Sequence, residues 1–190
     1  VQHSDNVKNL KWWSEQLLKG NKIMAVGGSD HHQNYGPVSF LATPTTYVLA
    51  EEKTAPAILK AIREGRSVIT NSPKSSMIYL TVGKAQLGDT ARLSENNIAD
   101  ITVTKLKKGH SVVIYNNDKI IFRRKAERNY DKWNAQVEIK EPGFIRAEID
   151  YTLNPVFSRA MALAERQFLG RRGVSMNNKT MPELFWAFTN

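Results

Sequence analysis

Apolar residues follow two kinds of spacing along the chain, and the period changes near residue 76. Val7, Leu10, Trp13, Leu17 and Leu18 recur at intervals of three and four. Asp5 or Asn6 stands where a cap belongs and Gly20 follows, which predicts an amphipathic helix over 7–19. Trp12 and Trp13 are adjacent, so one faces the core and the other is left to a surface or a domain contact. Lys22-Ile23-Met24-Ala25-Val26 is a short apolar run that stops at Gly27-Gly28, the pattern of a buried strand. Gln33 to Ala42 contains Gly36 and Pro37 without periodicity and reads as a loop. Thr46 to Ala50 predicts a strand. Thr54 caps a helix with Pro56 near its start and Ile58, Leu59 and Ile62 on one face, Gly65 closes it, and Ser67 to Thr70 is a further strand. This alternation of strand and helix predicts an α/β region that ends at the polar stretch 71–76, the expected domain boundary.

From Met77 onward the period is two. Residues 77–83, 98–103, 111–115, 119–122, 134–139 and 143–149 read as short strands, with Asn116-Asn117-Asp118 as a hairpin turn. Antiparallel strands at this spacing predict a β-sandwich or a small barrel, and the alternation in 98–103 and 134–139 predicts one wet face. Pro155, Val156, Phe157, Met161, Leu163, Ala164, Phe168 and Leu169 return to helical spacing before Gly170-Arg171-Arg172-Gly173, and Leu184-Phe185-Trp186-Ala187-Phe188 suits a buried final strand. The expected organisation is therefore α/β followed by mainly β: one unit over 1–72 and a β-sandwich-like unit over 77–190, with a helical insertion near 155–170.

Candidate chemistry concentrates at Gly27-Gly28-Ser29-Asp30-His31-His32. Asp30 offers carboxylate oxygen and His32 an imidazole nitrogen, and their one-residue gap lets both leave a strand end from nearly the same point. The two glycines keep the space above the strand free of side chains. A Ser-Asp pair after glycines is also a common turn or helix N-cap, and spacing leaves both readings open.

The ordered series Gly28-Ser29-Asp30-His31-His32, Gly36-Pro37, Thr43-Pro44-Thr45-Thr46-Tyr47-Val48 and Ile58-Leu59-Lys60-Ala61-Ile62-Arg63-Glu64-Gly65-Arg66 resembles the C-terminal part of a PHP-superfamily metallohydrolase. It is most similar to the CehA/McbA-like branch, in which a distorted α/β barrel precedes a small β-rich domain. The resemblance implies metal-ligand roles for Asp30 and His32 in a site for divalent ions such as Zn, Mn or Fe. It also implies a metal-dependent phosphoesterase or related hydrolase acting on a small phosphorylated or ester substrate. The family's early His-x-His motif and its middle Glu and His ligands have no counterpart in these 190 residues. The chain reads as about the last third of such an enzyme, inactive alone and dependent on an upstream PHP segment.

Composition narrows this picture only in part. With 41% hydrophobic residues, seven Phe, six Tyr and four Trp, the chain has enough apolar material for a core. Zero cysteine excludes disulfides and thiolate metal sites. No apolar run approaches the ~20 residues of a membrane-spanning helix. Net charge is +9, from 27 basic and 18 acidic residues, which admits nucleic acid, a phosphorylated substrate or an anionic envelope as partners. Basic residues gather at Lys105, Lys107 and Lys108, and at Arg123, Arg124, Lys125 and Arg128, with Tyr130 and Trp133 close behind. That pattern suits a nucleic-acid surface, although solvated loop charge without a recognised binding motif is the favoured reading. Tyr35 is a candidate substrate contact, or a plain loop tyrosine. His3 reads as a solvated residue before the first helix, and His110 as structural or exposed at a turn. Asn178-Lys179-Thr180 matches a glycosylation sequon too short to carry weight. Two functions from different classes remain: part of a metal-dependent hydrolase, or a non-catalytic β-sandwich binding module of a larger protein.

Overall fold

A computed structural model describes residues 4–29, 41–92, 97–151 and 184–189. The elements in order are α1 (Ser4–Leu18), β1 (Thr45–Val48), α2 (Ala55–Arg63), β2 (Ser67–Thr70), β3 (Met77–Val82), β4 (Ile98–Leu106), β5 (Ser111–Asn116), β6 (Lys119–Lys125), β7 (Tyr130–Glu138), β8 (Ile145–Tyr151) and β9 (Leu184–Thr189). The fold is mainly β. A six-stranded sheet runs β1-β2-β9-β8-β5-β6 and a three-stranded sheet runs β3-β4-β7, with every pairing antiparallel. Among the described residues no helix is long and apolar enough to cross a membrane.

The sandwich follows from the two-residue period. Ile78 and Leu80 of β3, Ala99, Ile101 and Val103 of β4, Val112 and Ile114 of β5, and Ala147 and Ile149 of β8 point inward and make one core between the sheets. Burying an Ile or Leu side chain contributes roughly 1.5–3 kcal/mol relative to exposure, so this layer dominates the apolar driving force. Lys105 has φ +55, and there the alternation of β4 skips a step: Thr104 and Lys105 both stay outside, while Leu106 returns to the core fully buried. The β5–β6 hairpin turns at Asn117, whose φ of +57 is the left-handed conformation that Asn tolerates.

Two sequence expectations need correction. Residues 22–26 form no strand. Their neighbourhood offers side chains in place of a backbone ladder: the Trp13 indole Nε1 donates to the Ile23 carbonyl at 2.7 Å, and Gly27 bonds to Thr46. The segment 71–76 is a turn from one sheet to the other rather than a break between an α/β unit and a β unit. β2, before the turn, lies between β1 and β9, while β3, after it, pairs with β4. β1 and β2 pair antiparallel although α2 lies between them in sequence, and no parallel pair occurs among the described residues. Periodicity had specified the strands; the choice of neighbour was made by long-range pairing. The helix expected at 155–169 lies outside the described residues.

α2 forms as its sequence predicts. The Thr54 side chain accepts a hydrogen bond from the Ala57 N–H at 3.4 Å, Pro sits in the first turn, and Gly65 follows with φ +79. Its buried residue is Ala61, whereas Ile58 and Leu59 are exposed. α1 covers the face of the six-stranded sheet turned away from the three-stranded sheet, through Trp13 and Ser14. Of the adjacent tryptophans Trp13 is buried and Trp12 is 53% exposed.

Candidate functional site

The chain approaches the Asp30 motif under tight local control. The Gly27 N–H donates to Thr46 Oγ1 at 2.8 Å, and the same hydroxyl donates to the Gly27 carbonyl at 2.9 Å. One β1 side chain thus satisfies both backbone groups of Gly27, where a strand would have used a neighbouring ladder. A Cβ at Gly27 would stand 2.7 Å from Ile69 Cγ2 and 3.2 Å from Pro44 Cγ, so glycine is required there by close packing on β2 and on the turn before β1. A Cβ at Gly28 would meet no atom of the described residues within 4 Å. The expectation that both glycines clear space for a ligand therefore splits: Gly27 closes a contact, and Gly28 has none among the described residues.

Asp30 and His32, the predicted metal ligands, lie outside the described residues, as do His3, His31, Tyr35 and the Asn178 sequon. Among the described residues no group of three or more His, Asp or Glu is arranged to hold a metal ion. In donor chemistry, one carboxylate and one imidazole fit part of a divalent-metal site, and no described cluster completes it. His110 belongs to no such group among the described residues. It is buried, its ring lies 4.9 Å from that of Tyr151, and burial followed by the nearby Lys107 charge lowers its pKa, which favours the neutral ring.

Sequence reasoning missed a charged cluster on the outer face of the six-stranded sheet. Arg146 and Glu148 alternate along β8, and their side chains form an ion pair with Arg146 Nε 2.5 Å from Glu148 Oε1, both almost wholly buried. Arg123 of β6 pairs with the buried Asp150 at 3.1 Å. The Arg146 guanidinium lies 4.3 Å from the Tyr115 ring centre and 5.8 Å from that of Trp13. It also donates to Ser14 Oγ at 3.3 Å, and the Ser14 hydroxyl donates to Asp118 in the β5–β6 turn. Burial raises the Glu148 carboxyl to about 7 against the downward pull of Arg146, with Asp150 adding to the rise. Burial and the Glu148 and Asp150 charges push the Tyr115 hydroxyl up to about 12. The cluster fastens α1 to the sheet through opposite charge and ring stacking. Its sequence signal was the alternation Arg146, Glu148, Asp150, which reads as a wet face until something covers it.

Beside this cluster lies a cleft of about 460 Å³ lined by Trp13, Met24, Leu80, Leu87, Ile139 and Arg146 among others. The two predicted basic stretches meet where β4 runs into β5 and β6 into β7, with Leu106 paired to Tyr130 and Ser111 to Lys125. Tyr130 and Trp133, expected to accompany them as stacking surfaces, are half-buried and pack against the core, with Trp133 6.3 Å from the Phe122 ring. Comparison of the chain with protein-family models, with curated proteins and with solved structures finds no match.

Proposed function

We propose that this chain is the C-terminal part of a metal-dependent phosphoesterase of the PHP superfamily, in which Asp30 and His32 supply two ligands of a divalent-metal site. The observation that carries the reading is the ordered series from Gly28-Ser29-Asp30-His31-His32 to Ile58–Arg66, together with the way Thr46 and Ile69 hold the chain three residues before Asp30. A bound divalent ion of the Zn, Mn or Fe kind would supply an activated water and offset charge on a small phosphorylated or ester substrate. The chain's own contribution is orientation: Thr46 fixes the backbone of Gly27, and the Asp30 carboxylate and His32 imidazole, one residue apart, offer a hard and a borderline donor.

A complete site needs more ligands than these two, which makes the upstream PHP segment the expected partner. In keeping with such a partner, Val26, Leu41, Tyr47, Leu49, Ile58 and Leu59 are exposed around β1 and α2. The test is hydrolysis of a generic phosphomonoester with added manganese or zinc by three proteins: this chain, the chain extended by its upstream residues, and the extended form carrying Asp30→Ala. Turnover is expected in the extended form alone. Turnover by the 190-residue chain, abolished by Asp30→Ala, would show a site complete without upstream ligands; an extended form indifferent to Asp30→Ala would remove the metal-ligand role.

The second reading, a β-sandwich binding module, is favoured by one observation. One continuous core, drawn almost wholly from residues 77–151 with Val68 of β2 added, holds the two sheets together.

A further inference from the structure

Between residues 105 and 132 the sequence carries nine basic and three acidic residues, a net +6 of the chain's +9. The sequence separates these charges into two stretches; the fold brings them to one end of the sandwich. Ser111 pairs with Lys125 across the β5–β6 hairpin, and Leu106 pairs with Tyr130 and Thr104 with Lys132 across β4 and β7. Backbone bonds close the junction: Gly109 N–H to the Ala126 carbonyl and Ala126 N–H to the His110 carbonyl, each at 2.8 Å. The Lys108 N–H donates to Asn129 Oδ1 at 2.9 Å.

Two basic residues of this region are ion-paired within the fold, Arg123 with Asp150 and Lys119 with Glu141, and the Arg128 guanidinium lies 5.1 Å from the Tyr130 ring centre, over the face a base would have used. The rest are exposed and make no ion pair with a described residue: Lys105, Lys107 and Lys108 on the β4 side, and Arg124, Lys125 and Arg128 on the β6 side, with Lys132 between. The kink at Lys105 contributes directly, since its φ of +55 turns the lysine outward where strict alternation would have put position 105 in the core. A like-charged cluster of this density repels itself and is relieved by a polyanion.

We propose that this end of the sandwich docks duplex nucleic acid through its phosphates, without reading sequence. Three features select this occupant. No large apolar side chain is exposed within 105–110 or 123–132, so the surface lacks what stable seating in a bilayer requires. Tyr130 and Trp133 are turned toward the core, so bases of a single strand find no stacking platform. Lysine and arginine heads without ordered acidic partners match a regular array of phosphates, which carries one charge per ~1.7 Å of duplex axis. The surface is independent of the proposed hydrolase site: β1 and β6 are the two edges of the six-stranded sheet, five strand spacings or about 24 Å apart.

The experiment is anisotropy titration of a labelled random-sequence duplex of about 20 base pairs with the full chain, between 50 and 200 mM salt. Three double variants of equal charge change are compared: Lys107→Glu with Lys108→Glu, Arg124→Glu with Lys125→Glu, and a distant control, Lys53→Glu with Arg63→Glu. The wild type is expected to bind in the micromolar range at low salt, with log K falling linearly in log salt by ~0.9 per phosphate contacted. Each variant at the basic end should weaken binding at least tenfold and flatten that slope, and the control should stay within threefold. Equal loss in the control would reduce the effect to net charge and overturn the proposal. So would absent duplex binding accompanied by binding to anionic-lipid vesicles or to an acidic polypeptide, or a single strand bound more tightly than the duplex.

Discussion

Ile78, Ile101, Leu106, Ile114 and Ile149 in the sandwich are each less than 2% exposed, whereas Val26 at 58%, Leu49 at 54% and Leu59 at 50% stand in water around β1 and α2. Both sets are aliphatic, and both sit at positions that periodicity assigns to a buried face. The difference lies in what is opposite them. The three-stranded sheet supplies a second layer for β5 and β8, and the edge strand β1 has a neighbour, β2, on one side only. Period names a face; a second layer buries it.

The largest effect is expected where burial and charge coincide. Arg146→Ala leaves Glu148 in its buried place without a cation and should cost about 3–5 kcal/mol at pH 8. The cost should shrink at pH 5, where the carboxyl is protonated in any case. Urea denaturation at the two pH values checks this, and equal losses would contradict it. Glu148 sharpens the point through its own titration. Its pKa rises from 4.5 in the unfolded reference to about 7 when folded, so between those values the folded state holds a proton that the unfolded chain has released. Stability therefore falls as pH rises from about 4.5 to about 7 and is level above. Glu148→Gln removes that slope, so the melting temperature of the wild type relative to the variant should decline across this window. His110, with its lowered pKa, has the opposite sign, losing stability as pH falls below about 6.5, and it cancels because it is present in both proteins. A difference that is flat or rises with pH would refute the assignment.

Next in size is the sandwich core. Ile101→Ala should destabilise by about 2–5 kcal/mol, because the side chain is enclosed by both sheets and its removal leaves a cavity. A loss below about 1 kcal/mol would mean that the layer is loosely packed and that the contrast with the β1 region is one of degree. Smaller again is Thr46→Val, which removes two hydrogen bonds to Gly27 and should cost about 1–2 kcal/mol. In the upstream-extended protein the same change should also lower metal affinity, as measured by competition with a chelating dye. Unchanged affinity would show that Thr46 does not position the Asp30 step.

These magnitudes track how much the sequence disclosed. The sandwich strands were legible because alternation and turn chemistry agreed, with Asn117 and Gly109 both in left-handed conformations at turns. β4 runs longer than expected because the strand continues through the break at Lys105, and β7 starts earlier, at Tyr130, where it pairs with Leu106. Pairing between β2 and β9, more than a hundred residues apart, left no local signal. Nor did the burial of Arg146, Glu148 and Asp150, because alternation says which residues share a face without saying which face stays wet. At the candidate site, Asp30 and His32 were legible as donor chemistry, and the Thr46 clamp was not, because a hydroxyl bonding both groups of a glycine 19 residues away belongs to tertiary structure.

The smallest effect discriminates most sharply between the two regions. Ile58 and Leu59 have the same character as the core isoleucines, yet α2 turns them outward, and only Ala61 of that helix is buried. Replacing both with serine removes only the half or so of each side chain that this chain covers and should cost the 190-residue chain about 1–2 kcal/mol in sum, less per side chain than any change above. Helix propensity works in the same small range, since serine is only slightly poorer than isoleucine or leucine there. If these side chains are the contact for an upstream segment, the double variant should leave this chain folded and more soluble. The same change should destabilise the extended protein by several times the loss seen here. Parallel urea denaturation of both lengths reads this directly. Equal, small losses in both lengths would mean that nothing covers the face, and the exposed apolar residues of the β1 region would then lose their place in the argument for an upstream partner.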